Sequence, residues 1–95
     1  MSKIKKRMVV VTTDKKGVFF GEFIKQVKDV ICLKDARMCI YWSTETRGVL
    51  GLAGIGPQKG SKITPQIPKI KLNYVTSVMD CTDMAVKEWE TGKWN

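Results

Sequence analysis

A mainly β fold is predicted for this 95-residue chain, as a small antiparallel sheet or partly open barrel of five to six strands with a C-terminal helix. Three observations predict it. Short runs of β-branched and aromatic residues recur along the chain, separated by clusters of Gly, Pro, Asp, Asn and Lys. Helix-boundary signals bracket only the last stretch, where Thr82 precedes and Gly92 follows an apolar-sided segment. The order of strands first, helix last and short connections suits an antiparallel sheet rather than alternating βαβ units.

Met8 to Thr13 and Val18 to Ile24 read as two strands of a hairpin, joined by the turn cluster Asp14-Lys15-Lys16-Gly17. Adjacent Phe19 and Phe20 must point to opposite faces of that second strand, so one enters the core and the other is available to a partner. Gly21 beside them suggests a bulge or close backbone packing. Val27 to Leu33 is assigned as a third strand, although Val27 and Lys28 also continue a helical pattern from Phe23. Lys34-Asp35-Ala36 then reads as a turn, and Arg37 to Trp42 as a fourth strand. Val49 to Ala53 is too short and too rich in glycine for a stable helix, beyond a single turn. The prolines Pro57, Pro65 and Pro68 restrict their segment to an ordered loop or an edge strand. Ile70 and Leu72 alternate with Lys69 and Lys71, giving a half-exposed strand with a basic solvent face. Asn73-Tyr74 makes a turn before Val75 to Asp80. In the final helix Thr82 serves as N-cap and Asp83 favours the helix dipole, while Ala85, Val86 and Trp89 form the side that faces the sheet. Trp94 is expected to fold back on the body.

Length and composition fit one globular domain, residues 8–95, preceded by a basic arm, residues 1–7. No apolar run approaches the ~20 residues needed to cross a bilayer, and MSKIKKR lacks the apolar region of a secretory signal. No membrane association and a cytoplasmic location are therefore expected. Cys32, Cys39 and Cys81 lie inside apolar runs, without C-x-x-C spacing and in a chain with no histidine, and read as buried free thiols. A zinc site would need a carboxylate as fourth ligand, and no metal or cofactor is expected.

The net charge of +8 implies an anionic partner, whether nucleotide, nucleic acid or acidic protein. Between Glu45 and Asp80 there is no acidic residue, whereas Arg47, Lys59, Lys62, Lys69 and Lys71 are all present. At the head of that window the stretch Ala36 to Gly60 joins an aromatic-ended run to a glycine-rich, basic segment. Tyr41 and Trp42 offer flat faces on which a base stacks, Arg47 can grip phosphate in a bidentate manner, and Thr44 and Lys62 add a hydroxyl and a cation. These five are the candidate nucleotide-binding residues, with Ser43 and Thr46 as further hydroxyls at the same end. The competing structural reading places Trp42 in the core and pairs Arg47 with Glu45 or Glu22. Catalysis is not expected. Without histidine a general base would have to be a carboxylate, lysine or thiolate, and none sits in a recognisable constellation.

The segments GVFFG, ARMCIYWS, RGVLGLA and DCTDMAVKEWE resemble a widespread group of small phage- and prophage-encoded proteins, with similarity running from Val9 to Trp94. That resemblance implies no enzymatic activity. Within such proteins it is similar to the sponges that sequester cyclic nucleotide signals of bacterial antiviral defence, the anti-CBASS type. The expected ligand is then a cyclic di- or trinucleotide enclosed by a homodimer or higher homo-oligomer, with Phe19 or Phe20 in the subunit interface. A DNA- or RNA-binding module and an inhibitor of a host protein are the alternatives.

Overall fold

A computed structural model describes residues 7–14 and 17–91. Its strands are β1 (Met8–Thr13), β2 (Val18–Val27), β3 (Val30–Tyr41), β4 (Lys62–Ile63), β5 (Ile67–Leu72) and β6 (Val75–Asp80). Two helices, α1 (Gly48–Gly54) and α2 (Asp83–Thr91), complete the chain, with a 3₁₀ turn at Thr44–Thr46 before α1. All pairings are antiparallel and form one open sheet in the order β4-β3-β2-β1-β6. β5 also pairs with β3, lying beyond β4 along the same edge. The expected class, mainly β with a C-terminal helix, is the one observed.

The two faces of the sheet have different covers. On one, Val10, Val18, Phe20, Cys39 and Ile63 pack against Leu52 and Ala53 of α1 and Ala85 and Trp89 of α2. On the other, Val9, Val11, Ile31, Leu33, Ala36 and Leu72 are buried in a cluster that, among the described residues, takes in no helix residue. Phe19 and Phe23 of β2, Ile70 of β5, and Val75 and Val78 of β6 pack against this second cluster.

Several local expectations are corrected. The predicted third and fourth strands are one continuous strand, β3, because Asp35 takes a left-handed conformation (φ 54) and the ladder to β2 shifts there instead of turning. That is bulge behaviour, which bends a strand without ending it. The real turn is Lys28-Asp29, inside the stretch read as a strand, with Lys28 left-handed (φ 56) in a two-residue hairpin loop. Helix α1 forms despite its glycines, since Leu52 and Ala53 are buried and the hydrogen bonds of Ile55 and Gly56 to the Gly51 carbonyl close its end. Tertiary burial outweighs the weak propensity. Arg7, assigned to the arm, belongs to the body: it donates to Asp80 Oδ1 at 2.7 Å and stands 4.6 Å over the Phe23 ring. The rest of the arm, the Lys15-Lys16 turn, Gly92 and Trp94 lie outside the described residues.

Phe20 is fully buried and stacks on Trp89, with centroids 4.8 Å apart and ring planes 4° from parallel. It therefore has no surface to offer a partner subunit, which removes it from the proposed interface. Phe19, on the opposite face, is half-buried at an apolar groove of about 400 Å³ with Met38, Pro65 and Ile67. Thr82 caps α2 as expected, accepting from Ala85 N at 3.1 Å, and its hydroxyl also donates to the Gly54 carbonyl, tying the two helices together. Arg37, an ordinary-looking strand residue in the sequence, is buried and donates to the Trp89 carbonyl and, at 2.8 Å, to the Thr64 carbonyl. A cation at the C-terminal end of α2 complements the helix dipole, and burial lowers the Arg37 pKa from its usual range.

Candidate functional site

Four of the five sequence-selected residues reach solvent at one end of β3. Tyr41, the last residue of that strand, is 55% exposed and pairs across to exposed Lys62 of β4. Directly opposed residues in an antiparallel ladder bring Cβ atoms to about 5 Å, so phenol and ammonium share one end of the sheet. A register shift between Cys39 and Tyr41 sets this pairing.

Arg47 links the 3₁₀ turn to α1 in a left-handed conformation (φ 70, ψ 39), with its N–H donating to the Thr44 carbonyl at 3.1 Å. A non-glycine residue held there costs about 1–2 kcal/mol, so packing around it must maintain the geometry. Thr46 is the centre of that packing. Fully buried, its hydroxyl accepts from Gln58 N at 3.0 Å and lies 3.2 Å from Ser61 Oγ, which accepts from Ser43 N at 3.0 Å. Ser43 and Thr46 are thus internal struts, and Thr44 is the exposed threonine of the turn. The Arg47 side chain is exposed and has no ion-pair partner among the described residues, so the pairing with Glu45 or Glu22 is not formed. Trp42 is half-buried and packs against the helix-side core.

The acid-free window is divided by the fold. Arg47, Lys59 and Lys62 flank the Thr46, Gln58 and Ser61 positions that hydrogen bonds join at the Tyr41 end, whereas Lys69 and Lys71 sit on β5 beside Lys34 and Cys32. Tyr41 lies nine positions along β3 from Cys32, roughly 30 Å at strand rise. Sequence reasoning placed Lys69 and Lys71 on a basic strand face but in no site, because Lys25 and Lys34 join them only through register.

The residues 6–89 match a sequence family described as a domain of unknown function, DUF6948. The chain belongs to the DUF6948 family. The match takes in the Tyr41 end and, in α2, reaches Trp89 of the DUF6948 core. No curated protein and no solved structure matches the chain.

The cysteines of this DUF6948 domain are free thiols, Cys32 and Cys39 buried and Cys81 half-buried. Among the described residues no group of three or more His, Cys, Asp or Glu is placed to hold a metal ion. No helix among them is long and apolar enough to cross a membrane. Burial pushes the Cys39 thiol up to about 11, partly offset by the Tyr41 backbone, and burial with the nearby Asp80 charge pushes Cys81 up to about 12. An unfolded thiol ionises near pH ~8.5, so the unfolded chain loses these protons first. Stability from the two neutral thiols is complete below that pH and declines as pH rises toward 11–12. Urea unfolding should thus show an alkaline loss of a few kcal/mol. The Cys39→Ala, Cys81→Ala double variant should be weaker at pH 8 yet decline less steeply between pH 8.5 and 11. An equally steep decline would reject the thiols as its source.

Proposed function

We propose that this domain is a non-catalytic binder of a phosphate-bearing nucleotide, using the Tyr41 end of the sheet. The carrying observation is the convergence there of an exposed aromatic ring, its cross-strand cation Lys62, and Arg47 with no ion-pair partner among the described residues. An exposed ring supplies a stacking face for a base, and guanidinium and ammonium groups bind phosphate oxygens by charge-assisted hydrogen bonds. Thr44 adds a hydroxyl at the same loop. The buried Thr46 network holds these groups in place before a ligand arrives, which limits the ordering cost of binding.

Within that class, the resemblance to small phage-encoded proteins favours sequestration of a cyclic di- or trinucleotide defence signal in the cytoplasm of an infected bacterium. Tyr41 at 55% exposure and Leu50 at 75% leave apolar surface at this end, which supports a second copy closing over the ligand here. The subunit contact then lies at the Tyr41 end, with Phe19 and its groove as a separate apolar surface.

Calorimetry with a panel of cyclic di- and trinucleotides at two salt concentrations tests the proposal. At least one ligand should bind with sub-micromolar Kd and be recovered intact after heat denaturation. Tyr41→Ala and Arg47→Gly should each weaken binding at least about tenfold, the loss of a charge-assisted or stacking contact. Arg47→Gly suits the left-handed backbone, so its Tm should stay within a few degrees of wild type. Trp42→Ala is the poorer probe, because it also removes core packing. A hydrolysed product would make the protein an enzyme, and a monomer by light scattering that binds normally would remove the enclosed site.

A further inference from the structure

At the other end of β3, a groove of about 480 Å³ lies between the β2–β3 hairpin and the end of β5. Lys25, Cys32 and Lys71 are register partners across β2, β3 and β5, so their side chains stand on one face. Cys32, only 7% exposed, forms the floor, and the two lysines flank it about two strand spacings apart, ~10 Å. The adjacent row, Glu22, Lys34 and Lys69, stands on the same face. Lys28 at the hairpin tip and Asn73 beyond β5 complete the rim.

This is the half of the helix-bearing face that the helices leave uncovered, and its charge is unbalanced. Lys25, Lys28, Lys34, Lys69 and Lys71 face two carboxylates, Glu22 and Asp29, and none of the five lysines has an ion-pair partner among the described residues. Glu22 forms no ion pair with its row neighbour Lys34 among the described residues, and its Oε1 is buried without a hydrogen-bond partner. Lys28 (φ 56) and Tyr74 (φ 56) both occupy left-handed turn positions here, where glycine or asparagine is the less strained choice. The Lys28 turn carries a cation to the groove's rim.

We propose that this groove and the lysine rows beside it bind the phosphodiester backbone of a single-stranded nucleic acid, independently of the nucleotide reading above. Five ammonium groups, four spread over three strands and one at the hairpin tip, match a row of phosphates rather than one compact anion. Among the described residues the groove is lined by valines, lysines, Cys32, Asp29 and Asn73, and the exposed Tyr74 ring next to Asn73 is outside that lining. Such a surface grips charge and does not read sequence.

Fluorescence anisotropy with a labelled oligo(dT) 20-mer, titrated across salt concentrations, tests this. The wild-type chain should bind at low salt, with log K falling against log salt at a slope near about −3.5 for five phosphates neutralised on a single strand. Lys25→Glu with Lys71→Glu should weaken binding about tenfold or more, and Lys25→Gln with Lys71→Gln should flatten the slope by about 1.4, two phosphates' worth. Lys87→Gln, an exposed cation of α2 that belongs to neither site, should change affinity less than twofold. Both double variants alter exposed side chains, and an unchanged circular-dichroism melt checks their folding. The proposal is overturned by absence of wild-type binding, by an unchanged slope in the glutamine pair, or by an equal loss in Lys87→Gln. An equal affinity for poly-glutamate would also overturn it, by showing a generic charge effect. Loss of cyclic nucleotide binding in Arg47→Gly alone leaves it standing, so the two sites fail separately.

Discussion

Trp89→Ala is expected to leave the domain unfolded or nearly so at room temperature. The Trp89 ring is fully buried, stacks on Phe20 of β2, and donates its Nε1–H to the Leu52 carbonyl of α1 at 2.9 Å. One side chain thus joins both helices to the sheet. Truncating a buried tryptophan costs about 3–5 kcal/mol, and leaving the buried Leu52 carbonyl unpaired adds about 1–3 kcal/mol. A domain of this length has only about 5–14 kcal/mol in total. Thermal and urea unfolding followed by circular dichroism should show Tm falling by about 20 °C or more, or no cooperative transition. Trp89→Phe, which keeps an aromatic ring but loses the donor, should cost about 1–3 kcal/mol. A Trp89→Ala protein melting within a few degrees of wild type would show that the helix layer is anchored elsewhere.

Gly51→Ala should be severely destabilising, although the same change in a helix interior ordinarily stabilises by about 1 kcal/mol. A Cβ on Gly51 would stand 1.6 Å from the Thr46 carbonyl oxygen and 2.7 Å from its carbon. Backbone, not a flexible side-chain tip, is in the way, so α1 must separate from the 3₁₀ turn. That separation breaks the buried Thr46 hydroxyl network and moves Arg47. A loss of about 3 kcal/mol, at the upper end of overpacking costs, is expected, together with loss of cyclic nucleotide binding. Gly54→Ala in the same helix provides the control. A Cβ there meets nothing within 4 Å, so its stability should rise by up to about 1 kcal/mol. If both variants shift the urea midpoint in the same direction, the close approach of α1 to Thr46 does not exist in solution.

The strand content, the β1–β2 hairpin, the edge position of the proline-bearing segment and the Thr82-capped helix were legible in the sequence. Each depends on local chemistry: side-chain branching, turn residues, the missing proline N–H, and a hydroxyl within reach of the first helical turn. The grouping of Tyr41, Thr44, Arg47 and Lys62 at one end was partly legible, since the first three lie within seven residues. The placement of Lys62 beside Tyr41 required the β3–β4 register.

Other features had no local signal. Asp35 looks like a turn residue because aspartate tolerates left-handed geometry, but pairing on both sides of β3 converts that geometry into a bulge. The burial of Phe20 rather than Phe19 follows from which face receives Trp89, sixty-nine positions later. Gly48–Gly54 becomes a helix because Leu52 and Ala53 find a buried surface that no propensity scale contains. Lys25, Lys34, Lys69 and Lys71 form one charged face only through antiparallel register. The sequence by itself determined the periodicity and breakpoints of the strands, because those arise from interactions between near neighbours. Only the tertiary structure decided which faces were covered and which distant cations met, because burial and register join residues whose separation along the chain carries no trace of the contact.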